Sequence, residues 1–402
     1  MLRLPATLMR GGTSKCWVFD ADDLRAAGVT GGPDGRLDTV LASAFGATDP
    51  RQIDGVGGAT STTSKAVIVR PSAEPGVDVD YLFAQVGIGT AGVEWASNCG
   101  NCATAVGLYA LRTGLAKPVH PTTTVEMRNE NTGVRLSATV PTPGGVVPEL
   151  GEATVPGSRA LGVPVALGFR NPAGASTGAL LPTGNGVDRL EVVDEAHPVN
   201  EADPVNGSRP PYGSHPAYGV DVTLVDAGAP AVLADAAALG SDALESVEAF
   251  SALVPTLTRL RRAAALRMGL AGPHDPISHS VPKAGVVAPA GDYVTSLGER
   301  ISGADYDIAV RMLSMHAPHP AIGLTSAVAV ASAALSPDTI LAKLAENRPV
   351  ATLLRLGTPA GVITAEVSLD GTGAVRAVTL HRAARAIATA ELLVPALLQE
   401  SV

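Results

Sequence analysis

The sequence predicts an α+β fold of two similar domains, each a curled mixed β-sheet around a central buried helix, with a cleft between them. Three observations lead there. Strand-like runs bounded by Gly, Pro, Asn or Asp recur through the 402 residues. Two segments, 102–112 and 326–335, break that pattern with small apolar residues on every face, the composition of a helix surrounded by protein. The halves also repeat: Ser64-Lys65-Ala-Val-Ile-Val-Arg-Pro71 resembles Pro282-Lys283-Ala-Gly-Val-Val-Ala-Pro289, and a Gly-containing turn precedes each lysine, 53 residues back at Gly12 and 55 back at Gly228. Two copies at this scale indicate duplication of a whole domain rather than a solenoid. The domains are expected at 1–185 and 186–402, the last segment being free to return to the first.

Strands are expected at 16–19, 66–69, 77–86, 122–127, 133–140, 220–224, 285–288 and 361–367, from their β-branched and aromatic content. Solvent-facing helices are expected at 236–253 and 257–268, where apolar and charged residues recur at helical spacing. Segments 141–160 and 196–219, the latter with His-Pro, Asp-Pro and Pro-Pro steps, read as long connections. The longest apolar stretch, 321–335, is broken by Thr325, Ser326 and Ser332 and falls short of the ~20 residues that cross a bilayer, so it reads as a buried helix.

A hydrophobic content of 46% can fill more than one core, and 17% charged residues exclude charged disorder. A net charge of -9 with scattered Lys and Arg argues against nucleic-acid or anionic-membrane partners, because no positive surface is available to release counterions from a polyanion. Arg3, Pro5 and Arg10 interrupt any apolar leader, so a cytoplasmic protein is expected. Three cysteines, Cys16, Cys99 and Cys102, cannot form a disulfide framework in a chain this long, and reduced thiols are expected.

The strongest constellation is Asn98-Cys99-Gly100-Asn101-Cys102, a polar turn opening a buried helix. N–H groups and the dipole at a helix start favour a thiolate or a bound carboxylate; the plainer alternative is a small buried cysteine beside an Asn turn. Cys99 and Cys102 have Cys-x-x-Cys spacing, but no second cysteine pair completes a zinc site, so no metal is expected, while oxidative pairing of the two thiols stays open. Lys65 opens a buried strand, where an ammonium is costly unless partnered, and is a candidate base or carboxylate anchor. Thr13 and Ser14 in Gly11-Gly12-Thr13-Ser14 offer hydroxyls to an anion, with Arg10 and Arg311 as compensating cations. In the second half His319 precedes the second buried helix, at the position equivalent to Cys99, and Ser280, Ser314, Gly323 and Thr325 complete the candidate substrate contacts.

Taken in order along the chain, Met9-Arg-Gly-Gly-Thr-Ser-Lys15, Thr63-Ser-Lys65, Asn98-Cys-Gly-Asn101, Leu181-Pro-Thr-Gly184, Asp226-Ala-Gly228, Pro282-Lys283, Asp307-Ile-Ala-Val-Arg311 with Ser314, His319 and Arg382-Ala-Ala-Arg385 resemble the PrpF-like 2-methylaconitate cis-trans isomerase family, related to methylitaconate isomerase and 4-oxalomesaconate tautomerase. The resemblance implies a diaminopimelate-epimerase-like fold and a cofactor-independent reaction, with Lys65 and Cys99 on the positions of the family's catalytic Lys and Cys and His319 on a catalytic or substrate-contacting His. Ala229, Thr358 and Ala383 depart from the family pattern, and Cys102 stands where an apolar residue is usual.

The expected activity is isomerisation of an unsaturated di- or tricarboxylate of the aconitate, methylaconitate or methylitaconate type by allylic proton transfer, without nucleic-acid or membrane partners, in a homodimer. The alternatives are a keto-enol tautomerase of an oxo-tricarboxylate such as 4-oxalomesaconate, and a non-catalytic carboxylate binder or partner of an aconitase-like enzyme. The absence of any cysteine after Cys102 disfavours a two-thiol racemase.

Overall fold

The computed structural model describes residues 1–30, 35–95, 99–193, 217–275, 280–345 and 352–395. It is α+β and separates into two units: Met1–Pro172 with Gly323–Thr325 and Ile363–Val402, and Ala173–Ile322 with Ser326–Val362. The first change of unit falls at Pro172/Ala173, ahead of residue 185. Its cause is local: Ala173 bridges to Ala227 and the Gly174 N–H donates to the Asp226 carbonyl, tying the chain to a strand of the second unit.

In the first unit Leu2–Gly11 and Ser14–Asp20 form a hairpin, and Ser14–Asp20 runs parallel to Lys65–Pro71. The order continues through Val79–Val86, Thr122–Asn129, Arg135–Pro141 and Ser158–Arg170 to Val375–Val394, which pairs back onto Leu2–Gly11. The mixed sheet thus closes on itself around the helix Gly100–Thr113, whose residues from Gly100 to Leu111 are all buried. Alternation along the strands decides what faces that helix. Trp17, Phe19, Ala66, Ile68, Ala84 and Val86 join an outer core with Leu37, Val40, Leu41, Ala44 and Phe45 of the amphipathic helix Arg36–Phe45. Their neighbours of opposite parity, Cys16, Lys65, Phe83 and Gln85, are left on the inner face.

The second unit repeats the order. Ala217–Ala227 and Ala229–Asp235 form the hairpin, Lys283–Pro289 lies parallel to its second strand, and Ile308–Ser314 follows antiparallel. Leu324–Ala334 is the buried helix of small residues. Leu190, Val222, Leu224, Phe250, Leu257 and Leu260 are among the buried residues of this unit's core.

Both buried helices begin two residues earlier than their composition suggested, at Gly100 and Leu324, so Cys99 is the cap residue and Asn101 lies in the first turn. The expected helix over 236–253 is broken: Gly240 ends a short turn in the left-handed region, Ala243 has φ 56°, and Ser246 caps a new start through the Ala249 N–H. Val375–Val394, the 20-residue strand that closes the first sheet, was missed because its alanines and arginines do not resemble a strand. In the expected connection 141–160 the structure has a short strand, Ala153–Val155. Residues 196–216 of the other connection lie outside the described residues, and 217–219 begin a strand. Among the described residues no helix is long and apolar enough to cross a membrane.

Candidate active site

The first unit gathers most of the candidates from its half of the chain. The hairpin tip rests on the first turn of the central helix so closely that a Cβ at Gly11 would lie 1.9 Å from the Asn101 carbonyl oxygen. Gly12 turns the chain at φ 54° and donates its N–H to the Ala383 carbonyl at 2.9 Å. The Asn101 amide then reaches back to the tip, its Nδ2 donating to Thr13 Oγ1 at 3.1 Å and Ser14 Oγ at 3.4 Å. No side chain caps the helix start at Cys99. Gly100 packs against Leu324, whose neighbours Gly323 and Thr325 also belong to this unit; a Cβ at Gly100 would meet Leu324 Cβ at 2.6 Å.

Lys65 is buried at the start of its strand. Antiparallel register sets it opposite Gln85, and its Nζ donates to Gln85 Oε1 at 2.6 Å while lying 4.8 Å from the Phe83 ring centroid. Gln85 is held in turn by its Nε2 donating to the Ser64 carbonyl at 2.9 Å, and Gln52 pins the Ser64 hydroxyl at 2.8 Å. Among the described residues no carboxylate forms a salt bridge with the ammonium; its partners are an amide oxygen and an aromatic face.

Cys99 is half-buried and all three thiols are free. The Cys99 thiol is pushed well up, first by its hydrogen bond to Cys102 and then by burial, while the nearby Lys65 charge pulls it down. Cys102 is pushed up by burial and then by a hydrogen bond to Cys16. The sequence expectation of a thiolate favoured by the helix start is therefore reversed, because thiol–thiol contacts and desolvation both favour the protonated form.

Arg382 was not among the expected site residues. It is buried, and its Nη2 donates to Asn101 Oδ1 at 3.0 Å while Nε and Nη1 have no hydrogen-bond partner among the described residues. Burial first, then the Arg10 charge, lowers its pKa to about 10 against the opposing effect of Cys99. A signal was available: along the closing strand Val378, Leu380, Arg382 and Ala384 are in phase and all buried, and a cation on such a face is unusual. Arg10 is half-buried and directs Nη1 to the Gly12 carbonyl at 3.1 Å and Nη2 to the Leu161 carbonyl at 2.9 Å. Burial and Arg385 hold its pKa below the usual guanidinium value. Asn98 lies outside the described residues.

In the second unit His319 is half-buried, its Nδ1 accepting the Ala321 N–H at 3.0 Å, which leaves Nε2 as the proton-bearing nitrogen of the neutral ring. Arg311 is fully buried beside Tyr293, with Nε donating to the Glu245 carbonyl at 3.0 Å and Nη1 to the Val310 and Gly357 carbonyls at 3.0 and 3.3 Å. Its Nε and Nη1 are thus engaged with backbone oxygens, and its buried Nη2 has no hydrogen-bond partner among the described residues. Ser314 is half-buried at the end of its strand and Ser280 is buried.

Comparisons with known proteins follow this architecture along its length. The family model described as "PrpF protein" matches residues 1–207 and 211–395. A 2-methyl-aconitate isomerase of Cupriavidus necator is 36% identical over 98% of both chains. A 3-methylitaconate isomerase of Eubacterium barkeri is 34% identical over 96% of both. A 4-oxalomesaconate tautomerase of Pseudomonas putida is 36% identical, covering 95% of this chain and 94% of its own. The crystal structure of a methylitaconate-delta-isomerase superposes with a TM-score of 0.77 at 31% identity, over 98% of this chain and 95% of that one. Fold and relatives together define an isomerase. The chain belongs to the PrpF family.

Proposed function

We propose that the protein isomerises an unsaturated di- or tricarboxylate of the methylaconitate or methylitaconate type by proton transfer at an allylic carbon, with Lys65 and Cys99 as the acid–base pair. The observation that carries this reading is the pairing itself: a buried lysine bound to an amide oxygen, whose charge acts on a half-buried thiol at an uncapped helix start. The relatives' substrates are all unsaturated polycarboxylates by name.

Once the Lys65 ammonium has given up a proton to solvent, its amine removes an allylic proton and leaves a dienolate, its charge spread onto a substrate carboxylate. Hydrogen-bond donors at the hairpin tip and the helix start stabilise that charge. The Cys99 S–H then delivers a proton to either end of the delocalised system. Protonation at the far carbon shifts the double bond; rotation about the weakened bond and protonation at the original carbon changes its geometry. The thiolate left behind is reprotonated from solvent. The raised Cys99 pKa supports its role as donor, since the thiol stays protonated at neutral pH. His319, by its Nε2 proton, is a further substrate contact in this reading. The enzyme is taken to be a cytoplasmic homodimer.

The test is proton exchange. In deuterated water, 2-methylaconitate, methylitaconate, trans-aconitate and 4-oxalomesaconate are followed by NMR. Deuterium incorporation with product formation in at least one supports the isomerase. Appearance of an enol chromophore only from the oxo acid would shift the assignment to a tautomerase, and binding without exchange would leave a carboxylate-binding protein.

A further inference from the structure

The direction of every hydrogen bond at the hairpin tip follows from one residue. A guanidinium has donors only, so the Asn101 atom 3.0 Å from Arg382 Nη2 has to be the carbonyl oxygen. The Asn101 nitrogen is thereby turned to the hairpin, where it donates to Thr13 Oγ1 and Ser14 Oγ. Each hydroxyl oxygen is occupied as an acceptor, and neither hydroxyl hydrogen has an acceptor among the described residues. Nearby, the helix start carries no side-chain cap, so its first N–H groups are donors too. Arg382 is 3% exposed and keeps Nε and Nη1 without a hydrogen-bond partner among the described residues. Groups whose remaining capacity is to donate, around an uncompensated buried cation, define a site for an acceptor-only anion.

We propose that Arg382 is a positioning residue which, acting through Asn101, locks the Thr13 and Ser14 hydroxyls as donors and makes the hairpin tip a carboxylate subsite. The proposal rests on the polycarboxylate reading above and adds the orientation of the subsite. Asn101 works as a polarity relay: an acceptor toward Arg382 and a donor toward the hydroxyls. An aspartate at this position keeps the shape and the contact with Arg382, but it accepts on both sides and draws the two O–H groups away from the ligand.

The experiment measures the Kd of tricarballylate, a saturated tricarboxylate with no allylic proton, by calorimetry, and KM and kcat by deuterium exchange. The proteins are the wild type, N101D, T13V/S14A, the triple variant T13V/S14A/N101D, and R382M. N101D should weaken tricarballylate and raise KM by about ten- to a hundredfold, the scale of lost hydrogen bonds to a charged acceptor, with kcat changing much less. T13V/S14A should do the same. In the T13V/S14A background N101D should cost under about threefold more, because no hydroxyl remains to be turned, whereas R382M, which removes the donor that fixes Asn101, should weaken tricarballylate and raise KM in the same direction as N101D; wild-type Kd and KM in a folded R382M would overturn the relay. Full persistence of the N101D penalty in that background would mean direct charge repulsion and would overturn the relay. If N101D fails to fold by thermal melting, wild-type affinity in T13V/S14A overturns the subsite by itself. Wild-type binding of tricarballylate without exchange of any unsaturated acid would remove the isomerase reading and keep the subsite. Absence of both removes the two together, and exchange with unaltered KM in N101D and in T13V/S14A removes the subsite alone.

Discussion

Replacing Gly11 by alanine places a methyl group 1.9 Å from the Asn101 carbonyl oxygen and 3.0 Å from the Ala105 nitrogen. Both are backbone atoms of the buried central helix, so no side chain can swing aside. Ordinary contact begins at 3.4 Å, so the hairpin tip has to retreat by about 1.5 Å. The Asn101 bonds to Thr13 and Ser14, at 3.1 and 3.4 Å, would not survive that movement. Overpacking costs about 1–3 kcal/mol and each of the two lost hydrogen bonds about 1, so Gly11→Ala should destabilise the first unit by roughly 3–5 kcal/mol. For a unit of this size that lowers the melting temperature by about 6–20 °C. Gly371→Ala is the control: no atom lies within 4 Å of its Cβ and its φ is outside the left-handed region, so it should be neutral or stabilise by up to about 1 kcal/mol. The assay is differential scanning fluorimetry on both variants, with KM from proton exchange. The Gly11 variant should melt lower and bind substrate more weakly, whereas the control should do neither. A Gly11→Ala protein that melts within about a degree of wild type with unchanged KM would refute the close packing of hairpin on helix and the subsite geometry built on it.

Lys65→Ala and Cys99→Ser should each lower turnover about 10²–10⁴-fold at saturating substrate with little change in melting temperature, and near-wild-type turnover in both would remove the pair from the mechanism. Because Cys99 is raised chiefly by its bond to Cys102, the Cys102→Ala thiol should titrate lower. Activity that needs the protonated thiol is lost as pH rises through that pKa, so the alkaline limb of the pH–rate profile should move to lower pH, and an unmoved limb counts against the coupling. Because both thiols are held protonated, peroxide should join Cys99 and Cys102 only at alkaline pH, where a thiolate forms, read by mass spectrometry as a loss of two hydrogens reversed by thiol reductant, whereas Cys102→Ala should proceed to higher oxides of Cys99. Equal and irreversible inactivation of both proteins would exclude that bridge.

Local composition was enough to show the α+β class, the two buried helices and the repeat, because a helix enclosed by protein has to be small and apolar on every face and because Lys65 and Lys283 each open a strand in matching surroundings. The places of Lys65, Cys99, Thr13, Ser14 and Asn101 at a strand start, a helix start and a hairpin tip were legible for a similar reason: a lysine at a buried strand start and a polar turn before a buried helix are costly arrangements that short sequence displays directly. Arg382 was quoted only within the motif Arg382-Ala-Ala-Arg385 and given no site role, although its place among Val378, Leu380 and Ala384 held the signal, since a strand of alanines and arginines is recognised only once the sheet closes around it. The Cys99 pKa could not be read either. A helix start alone would lower it, but a bond to Cys102 and burial raise it, and such opposing effects depend on distances between atoms that the order of residues does not contain. Sequence by itself determined which groups were available for chemistry. The tertiary structure decided their direction and protonation, because a hydrogen bond's polarity and a thiol's desolvation exist only when chain segments as distant as Thr13, Asn101 and Arg382 are packed together.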